Sequence, residues 1–387
     1  VTGSNDTPDV TVVDVTGVVT EDASTTAFGT ATAQQNTITL SGTFETGDSV
    51  TATVNGVAIT YTVIAADLSG GNGLTEIASK LASAINANVN VRDFVNATAA
   101  NGVVTLTSAT AGVPFTLTSA ASNKAASADN SQLSTAAALT VNASAQQLRD
   151  SGSLTFIDLD LTNTSVVTRA FVSATASSGA SVSSALEAAL ANVANSFTLS
   201  GAGVAGASPA STTSSPVVNT VNWSFAIDNA LTQYLASGQS VTAVYRITVT
   251  DDSGYLTASG SHEARQATQD VTITLNGAND PAVISVQTGN SDTAGLTESS
   301  TGLTASGSLT IRDSDLTNTV SVAVQAVTPT GVTDGLVSTT AQLLAMLTVT
   351  PAAPSLVLSS TEVVDQFSWA FNSGSELFTY LAASEVL

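Results

Sequence analysis

A stretch of 14 residues occurs twice in the chain, and this duplication constrains the fold more than any other feature of the sequence. Residues 151–164 read SGSLTFIDLDLTNT and residues 306–319 read SGSLTIRDSDLTNT, with 11 positions identical. Each copy begins as a short alternating strand and continues into a loop that carries Asp-x-Asp and a Thr/Asn turn cluster. Self-similarity at a fixed period indicates tandem structural repeats. The sequence therefore predicts two copies of one domain.

Two linkers of similar sequence mark the starts of these copies. Residues 5–8 read NDTP, and residues 279–281 read NDP. Asn and Asp favour turns, while proline fixes φ and has no N–H to donate, so a paired strand cannot easily continue through either linker. The first linker leads into an alternating segment that we predict to be one strand from Val10 to Thr20. The second leads into a strand predicted near Ala282 to Val286.

The spacing of the shared motifs predicts an insertion in the first copy. Glu298 precedes Ser306 by 8 residues, whereas Glu21 precedes Ser151 by 130, a difference of 122 residues. Extra residues between two otherwise matching motifs indicate a segment inserted into one repeat. We assign this inserted domain to residues 27–140.

The inserted domain has its own pattern of strands and helix. Asn55-Gly56 and Asn101-Gly102 each lie between alternating apolar runs, which predicts two type I′ hairpins because both residue types tolerate positive φ. Between the hairpins, apolar residues from Leu74 to Ile85 recur at helical spacing and predict one amphipathic helix. The predicted order is ββαββ, and we interpret residues 119–138 as a linker that returns to the first copy.

These assignments predict a mainly β chain of tandem β-sandwich repeats with an inserted small ββαββ domain. Trp223 and Trp369 occur in matching Trp-x-Phe motifs and are the predicted core anchors of the two copies. Leu387 aligns with Val241, so we expect the second copy to lack its last two strands and the native chain to continue. The predicted domains are the first strand of repeat 1 over 1–26, the inserted domain over 27–140, the remainder of repeat 1 over 141–280, and an incomplete repeat 2 over 281–387.

Composition and charge narrow the classes of function. The 387 residues include 30 acidic and 8 basic side chains, which gives a formal net charge of −22. A field of this sign repels nucleic acid and anionic membranes and attracts cations. The chain has no Cys, which excludes disulfides and thiolate metal sites, and it has no apolar run of about 18 residues that could span a bilayer. Val1 does not begin a signal peptide, so we interpret the chain as part of a longer polypeptide.

The motifs outside the inserted domain carry a family resemblance. In chain order they are Asn-Asp-Pro, Thr-Glu, Gly-Ser-Leu-Thr-x-x-Asp-x-Asp-Leu-Thr, Trp-x-Phe, Ala-Leu-x-x-Tyr-Leu-Ala and Val-Thr-Asp-Asp-Ser-Gly. This series resembles the VCBS repeat of giant bacterial surface and biofilm adhesins of the RTX type, and the resemblance covers about 265 residues. It implies cadherin-like, immunoglobulin-like β-sandwiches, an extracellular location on the bacterial cell surface, type I secretion and dependence on calcium. The inserted domain departs from the family pattern.

The Asp-x-Asp pairs are candidate ligands for a hard cation. In extended backbone, side chains two residues apart point the same way, so both carboxylates of a pair can converge on one ion. Calcium takes about six to eight oxygen ligands, more than one loop provides. In a seven-stranded sandwich, the loop after the second strand, the last hairpin loop and the preceding linker lie at the same end, and the cadherin-like resemblance implies the same positions between domains.

We therefore predict one calcium (Ca2+) site in each copy. The first would gather Asn5, Asp6, Glu21, Asp158, Asp160, Asp251 and Asp252. The second would gather Asn279, Asp280, Glu298, Asp313 and Asp315. The alternative interpretation is that these residues only form turns through local hydrogen bonds, and for Asp251 and Asp252 this means a simple hairpin turn.

These features predict a structural or adhesive module and not an enzyme. The only histidine, His262, has no orienting partner pattern, and no serine lies in a nucleophile elbow. Calcium would stiffen a rod of repeats whose partners are adjacent repeats or copies of the same chain. The alternative is a module in which the inserted domain binds cell-surface glycans or proteins. Against this, its aromatic residues Tyr61, Phe94 and Phe115 are expected to lie in the core.

Overall fold

The structure is a computed structural model that describes residues 4–71, 73–124, 134–143, 145–160, 164–204, 217–252 and 265–387. It confirms the predicted mainly β class, with strands arranged in several sheets. The chain divides into two compact units. Unit 1 consists of Val1–Thr30 and Ala145–Asn279, and unit 2 consists of Ala31–Ser144 and Asp280–Leu387.

The strands are, in chain order, β1 (Asp9–Asp14), β2 (Thr16–Thr20), β3 (Ala27–Phe28), β4 (Gln35–Ser41), β5 (Ser49–Val54), β6 (Val57–Thr62), β7 (Val95–Ala100), β8 (Val103–Ser108), β9 (Leu117–Ser122), β10 (Ser134–Val141), β11 (Gln147–Ile157), β12 (Thr164–Ala176), β13 (Phe197–Gly201), β14 (Asn219–Asp228), β15 (Ser240–Asp252), β16 (Gln266–Asn276), β17 (Val283–Ser285), β18 (Thr304–Arg312), β19 (Leu347–Thr350) and β20 (Val364–Asn372). The helices are α1 (Gly73–Ala87), α2 (Ser184–Ala191), α3 (Val193–Ser196) and α4 (Thr340–Met346), and short 3-10 helices cover Ala65–Gly71 and Asn229–Leu231.

Unit 1 contains two sheets that share one hydrophobic core. The first sheet has the order β1-β11-β14-β13, with β3 also paired to β11, and the second has the order β12-β15-β16-β2. Strand pairs are antiparallel except for β2 and β16, which run parallel. Inward residues alternate along β14 and β15 and bury an apolar face from each sheet in the same cluster.

The segment predicted as one strand from Val10 to Thr20 forms two strands that belong to different sheets. β1 pairs with β11, and β2 pairs with β16. The Asp14 carboxylate accepts a hydrogen bond from the Thr16 N–H at 3.2 Å, a local bond that competes with the ladder where the chain leaves the first sheet. Alternation of apolar residues continues through this point, so the pattern alone does not reveal the change of sheet.

The core tryptophan leaves no room for a side chain at the glycine of the repeated motif. Gly152 lies opposite Trp223 on neighbouring strands, and a Cβ at Gly152 would lie 2.5 Å from the indole ring. The Trp223 Nε1–H donates to the Asp14 carbonyl at 2.7 Å, and its ring stacks on Phe197 with centroids 5.9 Å apart. Trp223 is 1% exposed, which confirms it as the core anchor of unit 1.

Residues 31–144 of unit 2 contain two sheets and helix α1 around a second hydrophobic core. The sheets have the orders β10-β4-β8-β7 and β6-β5-β9. Both predicted Asn-Gly hairpins are confirmed, because Asn55, Gly56, Asn101 and Gly102 all have φ between 48° and 83°. Helix α1 is also confirmed, and its buried residues include Ile77, Leu81 and Ile85.

The predicted ββαββ order is incomplete for this segment. The structure adds β4, β9 and β10, so seven strands accompany the helix. The predicted return linker over 119–138 overlaps β9 and β10, and its residues 125–133 lie outside the described part of the chain. Ala and Ser dominate both strands, so little contrast between apolar and polar positions marked them as strands.

Residues 280–387 of unit 2 contain one sheet with the order β17-β18-β20-β19. Gly307 lies opposite Trp369, and a Cβ at Gly307 would lie 2.6 Å from the indole, as at Gly152 in unit 1. The Trp369 Nε1–H donates to the Ser291 carbonyl at 2.5 Å. Trp369 is 9% exposed and borders an open cleft of about 660 Å³, whereas Trp223 shares a closed core with β15 and β16.

Candidate metal centre

Three carboxylates of unit 1 converge at one end of its two sheets. Asp158 directly follows β11, Asp160 lies two residues further on, and Asp251 belongs to β15. One oxygen from each lies within 4.8 Å of the others. The convergence follows from topology, because β12 begins beside the end of β15, where Ser165 pairs with Asp251. The chain therefore crosses from the first sheet to the second at the end where Asp251 lies.

Two of these carboxylates are buried without full hydrogen bonding. Asp158 is 5% exposed and Asp251 is 1% exposed, and an Oδ2 atom of each has no hydrogen-bond partner among the described residues. Burial raises the pKa of Asp158, and the charges of Asp251, Asp160 and Asp6 raise it further, against a lowering by the Asp160 N–H. A buried carboxylate charge is costly, so either protonation or a bound cation would stabilise this arrangement.

The linker before the first strand is bonded to this centre. The Asp160 N–H donates to Asp158 Oδ1 at 3.1 Å, and the Asp6 N–H donates to Asp160 Oδ2 at 2.6 Å. The pairing of Asp9 with Ile157 brings the start of β1 to the end of β11, which explains the position of Asp6. Loop, linker and strand thus contribute to one acidic group, which we call the first acidic centre (Asp6, Asp158, Asp160 and Asp251).

Unit 2 repeats this hydrogen-bond pattern at the matching residues. The Asp315 N–H donates to Asp313 Oδ1 at 3.1 Å, and the Asp280 N–H donates to Asp315 Oδ2 at 3.1 Å. Asn318 also donates to Asp315 Oδ2, at 2.8 Å. We call Asp280, Asp313 and Asp315 the second acidic centre.

The second acidic centre is also buried and incompletely bonded. Asp313 is 6% exposed and Asp315 is 0% exposed, and Asp315 Oδ1 has no hydrogen-bond partner within the described ranges. Burial, aided by the charges of Asp280 and Asp313, raises the pKa of Asp315 to about 6, although the Asp280 N–H and Asn318 oppose this. Each centre therefore contains a buried carboxylate with a raised pKa and an oxygen that has no hydrogen-bond partner among the described residues, Asp158 in the first and Asp315 in the second.

Glu21 does not join the first acidic centre, contrary to the prediction. It follows β2, where its N–H donates to the Asn276 carbonyl at 3.1 Å and its Oε1 accepts from the Ala278 N–H at 2.6 Å. Asp251 lies beside the opposite end of β16, which spans 11 residues, or roughly 30 Å. The parallel pairing of β2 with β16 carries Glu21 to the far end of unit 1.

The remaining predicted residues have varied placements. Glu298 is exposed and lines the open cleft, which Asp313 and Asp315 do not line. Asp252 pairs with Thr164 through its backbone, and its side chain lies outside the described part of the chain, as does His262. Asn5 and Asn279 directly precede the linker residues Asp6 and Asp280 of the two centres.

Two residues near the centres were missed by the sequence analysis. Ser165 lies directly opposite Asp251 on the neighbouring strand, so both side chains lie on the same side of the sheet. Its hydroxyl is buried and has no hydrogen-bond partner in the described ranges, and it could supply a neutral oxygen ligand. Asn318 belongs to the repeated Thr/Asn cluster, and that repetition was the available signal.

The donor set of the first acidic centre suits a hard divalent cation, whereas the carboxylates of the second centre do not form such a three-membered group among the described residues. The candidate atoms of the first centre are all oxygens, from three carboxylates and from the Ser165 hydroxyl. Carboxylate and other oxygen donors favour calcium, magnesium or manganese over softer metals. The residues of the first centre could therefore hold a hard divalent cation, and their oxygens do not distinguish calcium from magnesium or manganese.

Comparisons with known proteins do not assign this chain to a family. No model of a known protein family matches the sequence, and no curated protein is significantly similar to it. None of the described helices is both long enough and apolar enough to cross a bilayer.

Proposed function

We propose that this chain is an extracellular structural or adhesive module of a bacterial cell-surface protein, rigidified by calcium. It would serve as a stalk or as a building block of a surface fibre, layer or biofilm matrix. The observation that carries the proposal is the acidic centre that occurs twice with the same bonds between loop and linker. A turn-forming role alone would not require buried carboxylates with unpartnered oxygens in both places.

The proposal includes two copies of an immunoglobulin-like, cadherin-like β-sandwich, the first interrupted by an inserted domain. The matching registers of Gly152 with Trp223 and of Gly307 with Trp369 support a shared architecture. The discontinuity of unit 1, whose two pieces flank residues 31–144, supports the insertion.

Calcium would act by neutralising carboxylates that otherwise repel one another. In the first centre Asp158, Asp160 and Asp251 would hold the ion, and in the second Asp313 and Asp315 would do so together with the linker residue Asp280. Because Asp6 and Asp280 belong to the linkers, an ion at each centre would tie the preceding linker to the sandwich that follows it. In a longer array of repeats, this tie would restrict bending at each joint.

Small-angle X-ray scattering of the whole chain tests the stiffening. In calcium, we expect the pair-distance distribution from the scattering curve to end at a well-defined maximum dimension. When a chelator is added, we expect this distribution to broaden. The variant D313N/D315N should show the broadened distribution even in calcium. An unchanged scattering curve on chelation would contradict the stiffening.

The partners that this proposal implies are adjacent repeats, or copies of the same chain.

The alternative, a glycan- or protein-binding module displayed on residues 31–144, gains little support from the aromatic side chains. Phe115 lies in the core as expected, whereas Phe94 is 50% exposed and corrects the expectation that it would be buried. Phe94 is the single exposed aromatic side chain among the described residues of that segment, and sugar stacking usually uses more than one.

A further inference from the structure

Residues 31–144 and 280–387 form one compact unit although residues 145–279 separate them in sequence. The contact between these two parts centres on the turn that joins α1 to β7. This turn meets the end of β18 and the start of β20, where an arginine and an aspartate of the second copy face it.

Arg312, the last residue of β18, donates hydrogen bonds to three residues across this surface. Its guanidinium donates to Asn96 Oδ1 at 3.2 Å, to the Asp93 carbonyl at 3.4 Å and to the Arg92 carbonyl. Burial lowers the pKa of Arg312 to about 10, an effect that Asp93 opposes, so the side chain stays charged at neutral pH. A half-buried guanidinium that is held by backbone carbonyls has a defined position, because few other partners can satisfy its donors.

Further contacts extend the same surface. The Arg92 guanidinium forms an ion pair with Asp365 at 3.2 Å, with the arginine side chain 18% exposed and the aspartate 36% exposed. Asn86 on α1 donates to the Thr288 carbonyl at 3.4 Å. Gly289 lies against the same helix, because a Cβ there would come within 3.0 Å of Ser83.

The charged residues of this surface coincide with departures from the repeat. Arg312 occupies the position of Ile157 in the first copy, inside the 14-residue motif. Asp365 lies four residues before Trp369, as Asn219 lies four residues before Trp223. The second copy therefore carries a cation and an anion where the first copy carries neutral side chains, and both contact residues 92–96.

We propose that residues 31–144 are an intramolecular brace that docks on the second copy through Arg312 and Asp365. The surface formed by residues 83–96 would then be occupied by this chain's own second copy and not by an external ligand. Residues 31–144 continue into unit 1 at both ends, and residues 279 and 280 join unit 1 to the second copy. With residues 31–144 docked on the second copy, three covalent junctions instead of one would connect the two copies. This inference does not depend on calcium.

Hydrogen exchange on the full chain, measured in calcium and in chelator, tests the brace. The variant R312I replaces Arg312 with the isoleucine that the first copy has at the matching position, Ile157. We expect the amides of residues 88–97 to lose at least about tenfold in protection, because hydrogen bonds to a charged group contribute that much or more. Amides of β18 and β20 away from the contact should keep their protection, which shows that the sheet is folded. R246I, which removes an exposed ion pair with Asp270 in unit 1, is the matched control and should leave residues 88–97 unchanged. Unchanged protection at 88–97 in R312I would overturn the brace.

A charge swap provides a second test that does not rely on the folding of R312I. R92D and D365R should each reduce protection at residues 88–97, and the double variant R92D/D365R should restore it to within about twofold of the wild type. Losses that simply add in the double variant, or no loss in either single variant, would contradict the docking.

Discussion

The buried carboxylate Asp315 shows what the ion-free protein has to tolerate. It is 0% exposed, it lies beside two other carboxylates, and one of its oxygens has no hydrogen-bond partner among the described residues. Its first-copy counterpart, Asp160, is held by the linker in the same way. At this scale the buried carboxylates are unfavourable for folding as long as they remain charged and without a balancing partner.

The variant D315N should therefore stabilise the ion-free protein while abolishing the stabilisation by calcium at the second centre. An amide of the same shape removes the buried negative charge, and the gain should be about 1–3 kcal/mol in the free energy of unfolding. Thermal unfolding in chelator and in calcium measures both effects. E187Q, on the exposed face of α2, is the control and should change neither value. A lower melting temperature of D315N in chelator would contradict this explanation.

The pH dependence of the ion-free protein follows from the same residue. Because the pKa of Asp315 is raised from 3.8 to about 6 on folding, its contribution to stability is present below about pH 4 and is lost as the pH rises through about 6. The difference in stability between wild type and D315N, measured by denaturant unfolding in chelator, should favour D315N increasingly over that interval. A difference that stays constant from about pH 4 to pH 7 would show that Asp315 has an ordinary pKa.

At the scale of the elements, the repeated motif is held together by the contact of a glycine with a tryptophan. Gly152 and Gly307 each leave room for the indole of the neighbouring strand, and each indole N–H reaches a backbone carbonyl of an earlier segment. This contact fixes the register of β11 on β14 and of β18 on β20.

The variant G152A should destabilise unit 1 by about 1–3 kcal/mol, because the added methyl group would overlap the indole of Trp223 in a closed core. G307A should cost a similar amount, because a Cβ there would lie 2.6 Å from the Ser291 carbonyl oxygen as well as 2.6 Å from the Trp369 indole, and the carbonyl belongs to the backbone. Calorimetry of both variants makes the comparison, with S151A at an exposed neighbouring position as the control. A loss in either variant no larger than that in S151A would contradict the close contact of glycine with tryptophan.

Local signals explain which elements could be predicted from the sequence. The hairpins at Asn55 and Asn101 and the helix α1 were predictable because positive φ and helical periodicity are local properties. β10 was not, since its Ala-rich sequence has no clear alternation. The Asp158–Asp160 pair was predictable from its spacing, but the position of Glu21 depended on the parallel pairing of β2 with β16, which no local pattern encodes.

At the scale of the whole molecule, the two acidic centres join the linkers to the sheets that follow them. Asp6 and Asp280 each donate a backbone N–H to the second carboxylate of an Asp-x-Asp pair. A cation that holds this carboxylate would also hold the linker. The same event would therefore occur at the start of every repeat of this kind.

Calcium should slow hydrogen exchange at the amides of Asp6 and Asp280 in parallel. Each amide is bonded to a carboxylate that would become an ion ligand, so opening of the linker would require release of the ion. We expect D158N/D160N to remove the effect at Asp6 and to leave it at Asp280. Loss of the effect at both linkers in this variant would contradict independent centres.

The most direct test of the central claim is a count of calcium ions bound to the full chain by equilibrium dialysis, after removal of metal with a chelator. The account predicts that the wild type binds calcium, that D158N/D160N and D313N/D315N each bind less, and that the combined variant binds none at these centres. Wild-type protein that binds no calcium, or a combined variant that binds as many ions as the wild type, would contradict it.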